Sequence, residues 1–334
     1  KRMSAGERAI AKEMRREEKE RKKRIRLANK MLIPASKKTL ESMHLNSFDP
    51  SGTFYLDDDR WLKVYLVEGE IGKLSDVCKS LKGRIRITLH IGEESDRATC
   101  HLSLMETGEI YEEVRQLILS DESELQKAVT LKPLSVDEAM NLIAVNAFKN
   151  IRFSYASYVR GNKDWKKECL LEVADEAQFF KSAGLYGKSF RILSFPKTGN
   201  KEIIRQFEKL GCLMHIAMDL NSLTEEERFD FKRAIEKKYN RKLMQEEEDY
   251  INLSISMVVF GDSLDAVEIV EETITSFLLG QGFLVVPAFH NHGAVAQSVI
   301  SLGLLDQSIM RNVRSDLFKE IVGGESHADA KVEV

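Results

Sequence analysis

The chain has 334 residues, 43% of them apolar and 31% charged, a balance that fits a globular protein with room for two cores. Its apolar runs, such as residues 283–286, are far too short to cross a bilayer, and no apolar stretch of the secretory-signal kind lies near the start. The net charge of −3 conceals an asymmetry: residues 1–30 carry 13 Lys and Arg against 5 Asp and Glu, about +8, which leaves about −11 on the rest.

In chain order, residues 1–45 form a basic arm. Residues 1–30 are rich in Arg, Lys, Glu and Ala, contain no Pro, and predict a solvated helix with too few apolar residues to bury a face. Arg15, Arg16, Lys19, Arg21, Lys22, Lys23, Arg24 and Arg26 are its candidate contact residues, for an anionic membrane face, nucleic acid or an acidic partner. No aromatic residue is interleaved to stack on bases, and a charged extension that only aids solubility has the same composition.

Residues 46–150 predict a first α+β module. Residues 60–67 and 84–91 alternate with period two, and residues 98–105 and 128–131 supply two more strands. Helices are expected over 72–81 and 109–119, so the order is β-α-β-β-α-β, the split βαβ or ferredoxin-like arrangement. Ser135 with Glu138 has the spacing of a capping box and opens a helix to about residue 147. Residues 151–186 form a connecting segment, with a helical stretch expected around 172–180.

A second module, residues 187–305, repeats the order. Strands are expected at 188–195, 212–218, 250–260 and 283–286. One helix, capped by Asn200, ends at Gly211; another carries Leu264, Val267, Val270, Ile274, Phe277 and Leu278 at helical spacing. Between them Ser222-Leu223-Thr224-Glu225 is read as a capping box for a charged helix reaching about residue 248. Residues 306–334 are left as a C-terminal helix and polar tail. The expected fold class is α+β: two tandem ferredoxin-like modules with antiparallel sheets, a helical insertion in the second, and a basic helical arm.

Motifs that announce chemistry are incomplete. Ser182-Ala183-Gly184-Leu185-Tyr186-Gly187-Lys188-Ser189 lacks the first Gly of a phosphate loop and runs into a strand, so it reads as a turn. Leu213 to Asp219 has the texture of a strand closed by a metal-holding acid, without a phosphate loop to serve. His290 and His292 are the one spacing that could seed a metal site for phosphodiester chemistry, as in relaxases, although Asn291 between them is polar and two loop histidines more often face solvent. Cys100 and His101 neighbour each other on a strand and therefore point to opposite faces. The four cysteines, Cys78, Cys100, Cys169 and Cys212, contain no Cys-x-x-Cys pair and read as reduced, buried thiols of an intracellular protein.

Three segments together resemble the N-terminal region of the conjugative-transfer (type IV secretion) ATPase family. They are the charged leader from Lys1 to Arg8, the strand-helix unit at residues 250–260 and 263–267, and the apolar turn at 301–305 with its Arg-containing continuation at 311–318. The resemblance implies a role rather than a chemistry. The region would be the assembly or partner-binding part of a transfer motor, without an ATPase site or cofactor of its own. It would lie in the cytoplasm, peripheral to the inner membrane face, against other channel components. A metal-dependent, relaxase-like protein using His290 and His292 is one rival expectation, and a non-catalytic homo-oligomeric scaffold is another.

Overall fold

A computed structural model describes residues 5–35, 43–92, 98–150, 152–154, 165–197, 202–240 and 249–323. The chain begins with helix α1 (Ala5–Ala28), followed by β1 (Ile33–Pro34), β2 (Leu45–Asp49), β3 (Thr53–Leu56) and β4 (Arg60–Glu68). A short helix α2 (Leu74–Val77), flanked by 3-10 turns, leads to β5 (Arg84–Ile91), β6 (Thr99–Thr107), α3 (Tyr111–Leu125) and β7 (Thr130–Pro133). Then come α4 (Val136–Asn146), α5 (Trp165–Cys169), β8 (Ala174–Asp175) and β9 (Phe180–Ser182). The second half holds β10 (Leu185–Ser194), α6 (Ile203–Glu208), β11 (Leu213–Ser222), α7 (Glu225–Tyr239), β12 (Tyr250–Gly261), α8 (Leu264–Gly280) and β13 (Leu284–Pro287). Helix α9 (His292–Ile300), β14 (Arg311–Arg314) and α10 (Ser315–Val322) close the described chain.

Alternation with period two produces the long strands, and local chemistry sets the helix ends. Ser135 and Glu138 complete a capping box at α4, each satisfying a backbone N–H of the other. At α7 the box is Thr224 with Glu227, two residues later than expected, because Ser222 still belongs to β11. Asn240, in the left-handed region, ends that helix well short of residue 248; residues 241–248 lie outside the described set, as does Asn200. The helix expected around 172–180 is instead the hairpin of β8 and β9, with β9 paired to the start of β10.

The expected two sheets are one. Among the described residues 14 strands form a single antiparallel sheet in the order β1-β2-β3-β4-β6-β5-β11-β12-β10-β9-β8, with β7 beside β4, β13 beside β10 and β14 beside β12. The halves join where β5 pairs with β11, from Met214 opposite Ile91 to Leu220 opposite Ile85. Within the halves the strand orders correspond: β7-β4-β6-β5 in the first and β13-β10-β12-β11 in the second.

Because side chains alternate across a strand, the joined sheet has two different faces. Ile85, Ile87, Leu89, Met214, Ile216 and Met218 point to one face, into the largest core cluster, which α2, α3, α6, α8 and α10 cover. The other face carries two smaller apolar clusters, one under α4 and α5 and one under α9. Between these two clusters the seam is polar.

Candidate functional site

The polar strip along the β5–β11 seam is the most unusual feature of the fold, since it places charges where a sheet is covered on both sides. Arg86 stands opposite Asp219 in the register, and His90 stands opposite His215 four residues further along. Both pairs share the face away from the main core.

Arg86, 1% exposed, donates from Nε and Nη2 to the two carboxylate oxygens of Asp219, at 2.8 and 3.0 Å. Its Nη1 donates to the Ser298 carbonyl at 2.7 Å, and Nη2 also reaches Asp306 Oδ1 at 2.8 Å. Ser254 on β12 donates its hydroxyl to Asp219 at 3.0 Å, and Arg84 pairs with Asp306 and donates to Ser308. Burial works to raise the Asp306 carboxyl, but Arg86 and Arg84 outweigh it and hold it at about 2. Residues 298–308 thus form a strap across the joint. Leu302 and Gly303 turn it with positive φ, and Ser103 on β6 donates to the Leu302 carbonyl.

Further along the seam three imidazoles pack together. His90 and His215 face each other Nδ1 to Nδ1 at 2.6 Å, and their ring centroids are 4.8 Å apart. His101, opposite Thr88 on β6, brings its ring to 5.2 Å from His90. Burial lowers all three: His101 and His215 to about 4, and His90 well below the usual value with its two neighbours adding to the effect. The rings are therefore neutral at pH 7. A cavity of about 290 Å³ opens beside them, between His90 and His215 on one side and Val145, Asn146 and Phe148 on the other.

A carboxylate pair sits on the opposite face. Glu106 on β6 meets Asp121 on α3, which accepts the backbone N–H groups of Lys82 and Gly83 at 2.9 and 2.8 Å. Burial, reinforced by Asp121, raises Glu106 to about 8. Gly83 is required here: a Cβ would stand 2.5 Å from the Met105 carbonyl and 2.6 Å from Glu106.

The basic residues singled out in the arm all lie on α1. From Lys12 to Arg24 every side chain is exposed, and at about 1.5 Å per residue the 24-residue helix is roughly 36 Å long. Its foot is fastened. Arg21 pairs with Glu109, while Asn29 donates to the Glu109 carbonyl and accepts from Tyr111 N–H, both at 2.8 Å. Asn29 therefore caps α3, whose own N-cap residue, Ile110, has no side-chain oxygen. Lys22 pairs with Glu18 within the helix at 2.6 Å.

The residues resembling nucleotide-site motifs are engaged elsewhere. Ala183 and Gly184 form the turn between β9 and β10, and Lys188 is buried in an ion pair with Glu271 on α8. Asp219 holds Arg86. His290 and His292 do not share an environment: His290 is exposed at positive φ, whereas His292 is fully buried and its Nδ1 accepts from Ser189 N–H at 3.0 Å. Cys100 faces the main core and His101 the polar strip. All four cysteines are buried free thiols.

Reading by motif passed over Arg86, His90 and His215, and weighed His101 only as a neighbour of Cys100. The available signal was charged or imidazole residues in the polar phase of otherwise apolar strands. Three of the chain's seven histidines occupy such positions.

No protein-family model matches the chain, and no curated protein sequence matches it. No helix among the described residues is long and apolar enough to cross a membrane.

Proposed function

We propose that this chain is the assembly and partner-binding part of a conjugative DNA-transfer (type IV secretion) motor, built as two tandem ferredoxin-like modules and working without an ATPase site of its own. The body acts as a rigid platform. The basic arm carries it to the anionic inner face of the membrane, where the other channel components lie.

The observation that carries the reading is the arm itself. A helix exposed on every side from Lys12 to Arg24 gains nothing from the body's core, so its Arg and Lys side chains other than Arg21, which Glu109 holds, and Lys22, which Glu18 pairs, face an external anionic surface freely. Each basic residue near such a surface contributes about 1 kcal/mol, screened over about 10 Å at 0.1 M salt. Two further features support the platform. The strand order of one half corresponds to that of the other, the order expected of ferredoxin-like units. The β5–β11 pairing with its buried ion pairs also resists relative motion of the halves. The resemblance of residues 1–8, 250–267 and 301–318 to the transfer-ATPase family supplies the biological setting.

The test is co-sedimentation with phosphatidylserine-containing vesicles. The expected result is binding at low salt that weakens steeply as salt rises. It should be lost when Arg15, Arg16, Lys19, Lys22, Lys23, Arg24 and Arg26 are replaced by Gln. Equal binding by both forms would remove the arm from the proposal. Cross-linking in source cells that recovers no channel component would remove the conjugative setting.

A further inference from the structure

Two of the seam histidines line a cavity, and the protein does not complete the hydrogen bonding of either. His215 is 3% exposed and Asn146 7%, yet His215 Nε2, His90 Nε2 and Asn146 Nδ2 are buried with no hydrogen-bond partner among the described residues. All three residues belong to the lining of one cavity of about 290 Å³. Leaving three buried polar atoms unmatched in one place is unfavourable, and apolar side chains of similar size would avoid it.

The contact between the two rings fixes what their free nitrogens offer. Nδ1 of one donates to Nδ1 of the other at 2.6 Å, and burial keeps both imidazoles neutral. A neutral ring has a single N–H, so the donating ring is left with a bare Nε2 and the accepting ring carries its proton on Nε2. Whichever ring donates, the pair presents one acceptor and one N–H donor, and Asn146 Nδ2 adds further N–H donors. The Nδ1 atoms are committed to each other, and no group of three or more His, Cys, Asp or Glu among the described residues is placed to hold a metal ion. The partner these atoms lack is therefore a molecule with hydrogen-bonding groups of its own.

The rest of the lining sets size and polarity. Ile91, Val145, Phe148 and Leu213 give apolar walls, and no charged side chain among the described residues lines the cavity. Phe148 holds φ at +57°, in the left-handed region where the position just past a helix usually has Gly. Its ring packs edge to face on Phe260, with centroids 4.9 Å apart, and forms part of the cavity wall. An apolar cavity of about 150 Å³ holds benzene, so this one has room for a ring that carries polar groups.

We infer that the cavity binds a small uncharged ring compound with an amide edge, a carbonyl beside an N–H. The carbonyl accepts from the Nε2–H and from Asn146 Nδ2, the N–H donates to the bare Nε2, and the ring lies against the apolar walls. Carboxamides and ring lactams share this edge. The site adjoins the β5–β11 joint, so a bound molecule would tie both halves to α4, whatever the arm contacts.

The experiment titrates the full chain with benzamide, a carboxamide, and with uracil, a lactam, followed by ligand-observed NMR and thermal unfolding. Binding of at least one, with a Kd of about 1 mM or tighter and a rise in unfolding temperature, is expected. Preference between the two identifies which form of the edge the site takes. Nitrogen–proton NMR spectra should show His90 and His215 as opposite neutral tautomers, with their Nε2 signals shifting as the probe is added. Toluene, which lacks the amide, and benzoate, which is charged, should bind about ten-fold more weakly or less. Val145→Trp, at a rim position 63% exposed, should close the cavity without unfolding the chain, and Asn146→Leu should weaken binding about ten-fold. Failure of both probes to bind the parent chain overturns the proposal, as does equal binding of toluene or benzoate. Binding that persists undiminished in folded Val145→Trp places the site elsewhere and overturns it as well.

Discussion

Arg86 and Asp219 face each other across the joint between the two halves, and the guanidinium meets both carboxylate oxygens while each side chain is at most 2% exposed. The two charges are withdrawn from water together, and neither half satisfies its own partner alone. Replacing Asp219 with Ala leaves Arg86 buried with Asp306 as its remaining carboxylate. The expected loss is about 3–5 kcal/mol, read from urea unfolding. Arg86→Met combined with Asp219→Leu should recover most of it, because both desolvation costs disappear. A double variant as unstable as Asp219→Ala alone would contradict this account of the pair.

Acid should loosen the joint at the histidines before it reaches the carboxylates. His101 and His215 are depressed to about 4 in the folded chain against an ordinary value of 6.5. Their contribution is complete above pH 6.5 and is lost as pH falls towards 4, by at most about 3 kcal/mol each. Asp306, at about 2 against 3.8, adds a second loss below pH 3.8. Stability measured between pH 7 and 4 should fall, and His215→Gln should flatten that slope. A curve level across this interval would show that the rings take up protons without opening the fold.

Glu106 has the opposite sign. Its carboxyl is raised to about 8 in the folded chain against 4.5, so the unfolded chain releases that proton first as pH rises. The stability it confers is present below pH 4.5 and is lost up to about pH 8. Glu106→Gln should therefore gain on the parent chain through this interval and hold a constant advantage above it. Thermal unfolding at pH 5 and pH 8.5 gives the comparison, and an unchanged difference between the two would refute the raised Glu106 carboxyl.

Asn29 ties the arm to α3 through two hydrogen bonds. Asn29→Ala should remove about 1–2 kcal/mol locally, the usual range for losing a cap. Faster amide exchange at Tyr111 and earlier proteolysis near residue 30 are expected, with the main sheet unaffected. Unaltered exchange at Tyr111 would mean that the Arg21–Glu109 pair holds the foot unaided.

Local order was legible in the sequence where one strand or one helix face determines it. Residues 60–67, 84–91 and 250–260 alternate strongly enough to specify strands, and Ser135 with Glu138 specifies a helix start from four residues. What escaped depends on partners distant in the chain. The stretch around 172–180 contains Glu and Ala and suits a helix by propensity. Pairing with β10 and the bond from Gly293 N–H to Asp175 overrule that preference. The fusion of the halves was equally hidden, since nothing in β5 alone names β11 as its neighbour. The polar strip shares that origin: Arg86 and His90 look like solvent-facing residues until the strap and α4 cover them.

The ligands of Arg86 arrive late. Its bonds run to residues 133, 212 and 220 positions further along the chain. On a ribosome adding about 5–20 residues per second, the guanidinium waits roughly 10–40 s between its own synthesis and that of Asp306. Until Asp219 emerges, 133 residues after Arg86, the first half cannot close its inner face without trapping an uncompensated charge, and the bonds to Ser298 and Asp306 follow later still. The order of translation therefore makes the strap the last of these partners to reach Arg86, and a chain truncated before residue 306 should lack the Asp306 bond and unfold more readily.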